Sequence, residues 1–289
     1  MRLGYSITSF HTLDKSPNDG AEDIVSRVEA AEEAGYDYVE AGDHHVVAGG
    51  QYFQNVPTGA RLTQVFDHVA VMFLLPLYNP VLVAEQAGTI AAFAEEFDFW
   101  CAVGGQREAF EAFGVPLKER APRMEEGLSL IRRLWDEDEV NLDGDFYSVE
   151  GVSVNPKADP RICIGGSAEP AVRRAGRLGD AWVAGPAETK DDIKRKKEWF
   201  EEAGGGDLLV RREVMALRDG DKAQETANEK LSRGYRGWPQ DAEWVISGDS
   251  DDVASEFEAL RELGVDEVIV RPMSDRHAVE TLRVVSEAL

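Results

Sequence analysis

Asp43, His44 and His45 stand side by side in a chain that holds only five histidines. They lie in AGDHHVVAGG, directly after the apolar and aromatic run YDYVE, where a strand is expected to end. An imidazole titrates near neutral pH, so a histidine in such a place can give or take a proton during catalysis. Neighbouring residues of an extended chain point to opposite sides, so only one of the two histidines is expected to meet the reacting centre. A solvent-facing loop pair is the plain alternative, and the strand-end position argues against it.

A metal centre is the other chemistry such residues suggest, with Asp67–His68 as a further acid–histidine pair. The opposed directions of His44 and His45 make a shared ion difficult, and neither HxH nor HExxH occurs. Asp67–His68 opens its strand rather than closing it. No resident metal is therefore expected.

The second constellation is ICIGGSAEPAVRRAGRLG, in which Gly165, Gly166 and Ser167 join a strand to a helix. Glycines let backbone N–H groups approach an anion, and a helix N-terminus adds partial positive charge, so a phosphate is the natural occupant. A tight turn without a ligand is the alternative. The dinucleotide fingerprint is absent, because AVGGQREAFEAFG lacks the later acidic partner. Cys101 and Cys163 sit in the strand-like runs FWCAV and ICIG and read as buried packing thiols.

These residues need a frame, and the chain supplies an alternating one. RLGYSI, YDYVEA, HVAVMFLLPL, FDFWCAV, RICIGG, DAWVAG, DLLVRREVMAL and VDEVIVRPM read as strands, separated by helical periodicity such as Ile24, Val25, Val28 and Ala31. Eight alternating units close most naturally into a (β/α)8 barrel, with an open doubly wound sheet as the alternative. In such barrels the active site lies at the C-terminal strand ends, where Asp43, His44 and His45 fall. DEDEVNLDGDFYSVEGVSVNPKADP reads as a rim hairpin. Residues Tyr235 to Gly248 are either a mobile aromatic cover or a packed excursion. No linker divides residues 1–289, so a single domain is expected.

The net charge of -24 opposes nucleic acid and anionic lipid as partners and suits a salty cytoplasm, hence a halophilic protein. The start lacks a basic region before a long apolar stretch, and no run of about 20 apolar residues occurs, so a cytoplasmic chain with no membrane partner is expected.

Taken in order, GDHH, FLLPLYNPVLVAEQAGTI, AVGGQREAFEAFGVPLKERAPRMEEGLSLIRRLW, DGDFYSVEGVSVNPKADP and GGSAEPAVRRAGRLGDAW resemble the luciferase-like monooxygenase family over nearly the whole chain. The resemblance implies a luciferase-like TIM barrel with rim insertions, and a flavin-dependent oxidoreductase acting on a small organic substrate. It implies reduced FMN with molecular oxygen, or hydride transfer with coenzyme F420, and a homo-oligomer, a dimer. By motif, His44 is implied as the catalytic acid/base beside the ring, with Asp43 and His45 flanking it. Leu74 and Leu75 fall at a strained bulge behind the ring, Val103 and Gly104 at its edge, and Gly165, Gly166 and Ser167 at the phosphate. The Ser-Gly-Gly-Arg turn common after the third helix is replaced by AAFAEEFDFW. The acid-His-His triplet is closer to the FMN branch, and an aspartate before a histidine is commoner in the F420 branch. A cofactor-binding barrel without turnover and a metal-dependent barrel hydrolase are the alternatives.

Overall fold

The computed structural model describes residues 1–289. All eight expected strands form: β1 (Arg2–Ser6), β2 (Tyr38–Ala41), β3 (His68–Leu74), β4 (Glu96–Ala102), β5 (Arg161–Gly165), β6 (Ala181–Ala184), β7 (Asp207–Ala216) and β8 (Glu267–Pro272). They share one sheet in the order β6-β5-β4-β3-β2-β1-β8-β7, and the further pairing of β6 with β7 closes it into a (β/α)8 barrel. No helix is long and apolar enough to cross a membrane.

Two compact units make up the chain, one of Met1–Thr8, Asn18–Val39 and Ile164–Leu289, the other of Ser9–Pro17 and Glu40–Cys163. In the first, Gly4 of β1 lies where an added Cβ would stand 2.4 Å from the Tyr38 ring, so only glycine permits that approach. The helices after β6 and near the end start on local signals. Thr189 and Asp192 form a capping box for Lys190–Glu202, and Asp249 with Asp252 does the same for Ser250–Glu262.

In the second unit the core is aromatic. Phe73 stacks on Phe99 with centroids 5.0 Å apart, and Trp135 meets Phe99 edge-on at 5.5 Å. The Trp135 indole N–H donates to the Ala84 carbonyl at 3.2 Å, which ties helix Arg120–Asp136 to helix Pro80–Phe93. Asn79 caps the latter by accepting the Val81 N–H, with Pro80 at its first position. The rim hairpin forms from Val140–Asp143 and Ser148–Val152. Its tip is held by the Glu126 carboxylate, which accepts from the N–H groups of Asp145, Phe146 and Tyr147.

Four elements go beyond the expected alternation. Phe10–Thr12 pairs antiparallel with Gly50–Tyr52, a short helix spans Asn55–Leu62, and Val245–Gly248 runs parallel to Glu213–Ala216. In the structure the segment from Tyr235 to Gly248 is packed against the barrel. Tyr235, Trp238, Trp244 and Val245 pack on a cluster that includes Met215, Leu231 and Met273. The Tyr235 hydroxyl donates to the buried Glu213 carboxylate at 2.6 Å, and Arg236 pairs with the same group at 3.0 Å.

Candidate functional site

The strand β2 ends at Ala41, and its continuation carries the acid and the two histidines. Their side chains separate as the alternation requires. The His44 side chain is exposed, with its ring centroid 5.7 Å from that of Tyr52, and its carbonyl accepts from the Gln54 amide at 3.3 Å. His45 is buried, lying 4.8 Å from the Phe113 ring and 5.4 Å from the Tyr78 ring.

Asp43, expected beside a cofactor ring, has its side chain fully buried and turned into the protein. One carboxylate oxygen accepts the Leu74 backbone N–H at 2.7 Å and the Tyr78 hydroxyl at 2.9 Å. The other lies 3.1 Å from His45 Nε2 without accepting a directed hydrogen bond. His45 Nε2 is 3.0 Å from the Tyr78 oxygen, along the better hydrogen-bond direction. Burial, and then the Asp43 charge, push the Tyr78 hydroxyl far above its usual range, so its proton stays on oxygen. Asn55 completes the group, donating to the Met72 carbonyl at 2.6 Å and facing Tyr78 at 3.4 Å.

Leu74, Leu75, Val103 and Gly104 diverge. Leu74 has φ −76° and ψ 72°, a turn of the inverse γ kind with no left-handed strain, so a kink replaces the expected strained bulge. Its side chain reaches towards Gly104, whose added Cβ would stand 3.5 Å from Leu74 Cδ1. Gly104 has φ +66°, a conformation that glycine accepts at no steric cost, and Val103 beside it is half-buried. Leu75 is buried and points towards Gly127 and helix Arg120–Asp136, so its side chain serves that packing.

The left-handed strain of this region sits instead at Val46, with φ 53°. A β-branched residue rarely adopts that conformation, and such outliers gather at functional sites. The Val46 carbonyl accepts from the Gln106 amide at 3.5 Å.

In the other unit, Gly165 ends β5 and Ser167 is exposed before the helix Glu169–Leu178, whose start no side chain caps. The Gly166 N–H is already bonded to the Val183 carbonyl at 3.3 Å, so it does not serve an anion. Gly166 is small for packing: an added Cβ would stand 2.5 Å from the Ala171 methyl. The phosphate expectation therefore narrows to Ser167 and the helix N-terminus. His68 opens β3, with Nδ1 3.2 Å from Glu96 and Nε2 3.3 Å from Asp98, and Cys101 and Cys163 are both buried thiols outside any disulfide.

Tyr78, Asn55, Val46 and Phe113 were not singled out by the sequence reading. The one local signal was Tyr78 itself, a phenol directly after the apolar run LLPL.

Comparison with known proteins gives a consistent picture. Residues 1–245 match the model of the luciferase-like monooxygenases. An F420-dependent glucose-6-phosphate dehydrogenase of Kribbella flavida is 27% identical over 316 residues, covering 93% of this chain and 92% of that protein. The chain spans only 62% of the length of mycobacterial relatives to which it is 31% identical over 178 residues. Among solved structures, a monooxygenase of Streptomyces bottropensis superposes with TM-score 0.87 at 18% identity, covering 100% of this chain and 98% of its own. The oxygenating constituent of 3,6-diketocamphane monooxygenase of Pseudomonas putida, in complex with FMN, does so with TM-score 0.82 at 18% identity, covering 100% and 97%.

Proposed function

Since the chain belongs to the luciferase-like monooxygenase family, we propose that it is an oxidoreductase that binds FMN or coenzyme F420 and acts on a small organic substrate. The observation that carries this reading is the split at the end of β2. His44 is exposed there, while the side chains on both sides of it are buried and anchored. A catalytic acid/base needs that combination of access and fixed position.

A cofactor of this type would supply the electron or hydride chemistry. This chain's residues would do the rest. His44 would exchange a proton at its imidazole with the reacting centre. Ser167 and the first turn of helix Glu169–Leu178 would hold the phosphate, because that turn has no side-chain cap and a helix N-terminus favours an anion. Gly104 at φ +66° would let the backbone after β4 turn at the ring's edge. The related proteins named above, one F420-dependent and one in complex with FMN, are the grounds for naming both cofactors.

The test is a visible-spectrum titration of the purified full chain with FMN and, separately, with F420. Saturable spectral change with one of them, at micromolar affinity, is expected. Binding of neither would overturn the reading.

A further inference from the structure

The proton inventory around Asp43 has a consequence for His45. Tyr78 has one hydroxyl proton and two oxygens within reach, Asp43 Oδ2 at 2.9 Å and Asn55 Oδ1 at 3.4 Å. The carboxylate is nearer and charged, so it accepts the hydrogen bond while the proton stays on Tyr78. The Tyr78 oxygen can then only accept. His45 Nε2, 3.0 Å away, must be its donor, with the second Asp43 oxygen 3.1 Å from the same nitrogen. The opposite tautomer would aim the Nε2 lone pair at two oxygen atoms in a buried place. Of the other neighbours, Phe113 and Asn55 bring no charge, and Tyr52, whose ring lies beside His44, acts on Tyr78 through space.

We propose that Asp43 and Tyr78 hold His45 in its Nε2–H form, and that this clamp fixes the backbone on both sides of His44. Tyr78 and His45 are then positioning residues for proton transfer by His44, a consequence that rests on the functional reading above. Asp43 anchors the residue before His44 to the Leu74 N–H, and Tyr78 anchors the residue after it. The left-handed Val46 that follows is the conformation the chain accepts to keep both anchors. A bonded ring cannot turn, and an anchored residue on either side leaves the His44 backbone little freedom, which lowers the entropic cost of aligning its imidazole.

Two measurements on the full chain test this. The first is ¹⁵N NMR of protein labelled in histidine, which reads tautomers directly and needs no turnover. One resonance set, identified by its loss in His45→Asn, is expected in the Nε2–H form, and Tyr78→Phe should shift it towards a mixture. An Nδ1–H form in the unmodified protein, or a spectrum unmoved by Tyr78→Phe, overturns the clamp. Tyr78→Phe keeps the ring that packs on Phe73, so the fold should survive.

The second is a double-mutant cycle with saturating cofactor. Tyr78→Phe should lower kcat about tenfold with cofactor affinity unchanged, and should have almost no effect when His44 is already asparagine. Additive losses would show that Tyr78 does not act through His44 and would overturn the positioning role. Failure of both cofactors to bind would sink the functional reading, and the NMR result would still decide the clamp.

Discussion

The Asp43 carboxylate accepts the Leu74 backbone N–H at 2.7 Å, joining positions 31 residues apart. This one bond ties the end of β2 to the kink that closes β3. It also explains why Asp43 shows no exposed side-chain surface. Its charge is matched by the Leu74 N–H and the Tyr78 hydroxyl, and His44 is left as the accessible member of the triplet.

The two histidines should therefore respond differently to the same change. His44→Asn is expected to lower kcat by a factor on the order of 10²–10⁴ with little effect on melting temperature. His45→Asn removes a buried ring and leaves a carboxylate oxygen without its neighbour, which should cost about 1–3 kcal/mol of stability. Turnover and urea unfolding of both variants check this; a large stability loss in His44→Asn would contradict it.

Val46 tests the strain. A β-branched residue at φ 53° is held against its own preference. Val46→Gly should raise stability by up to about 1 kcal/mol by relieving that conformation, reduced by the extra entropy of glycine when unfolded. It should lower kcat, because the backbone after His45 is freer. A clear loss of stability would mean that Val46 is not strained.

The strand-to-helix turn after β5 separates packing from binding. Gly166→Val brings a side chain onto the Ala171 methyl, 2.5 Å from the new Cβ. Overpacking of this kind should cost about 1–3 kcal/mol. Ser167→Asp instead adds charge at an exposed position beside a helix N-terminus that tolerates acids, so the fold should hold. Repulsion of a bound phosphate should weaken the cofactor about tenfold. Unchanged affinity in folded Ser167→Asp would remove the phosphate assignment.

Alkaline pH should destabilise the protein. Burial pushes Tyr5 up from 10.0 to about 12, and burial followed by the Glu213 charge does the same to Tyr235. A raised folded pKa gives stability that is present in full below pH 10 and is lost as pH rises towards 12. Over that window the unfolded chain ionises first, and each such group can cost up to about 1.4 kcal/mol per pH unit. Urea midpoints between pH 9 and pH 12 should fall, and less steeply in Tyr5→Phe. A flat profile would refute the linkage.

The net charge of -24 predicts a salt response. Screening of self-repulsion should raise the melting temperature as KCl increases from low to molar concentration. An unchanged melting temperature across that range would remove the halophilic expectation and leave the enzymatic one untouched.

What the sequence alone determined is local in origin. Strand and helix periods are read within a dozen residues, so the eight strands and the placement of Asp43, His44 and His45 at a strand end were legible. The capping boxes at Thr189 and Asp249 are local in the same way. The direction of Asp43 was not legible, because its partners Leu74 and Tyr78 are 31 and 35 residues away and meet it only through strand register. The double role open to Gly166 was decided by Ala171 and the Val183 carbonyl, which the barrel brings together. Likewise Tyr235 to Gly248 looked irregular because its strand, Val245–Gly248, is stabilised by pairing with Glu213–Ala216 rather than by any pattern of its own. Periodicity assigns elements; which polar groups satisfy one another inside is set by tertiary packing, since a buried carboxylate takes the nearest donors that the fold provides.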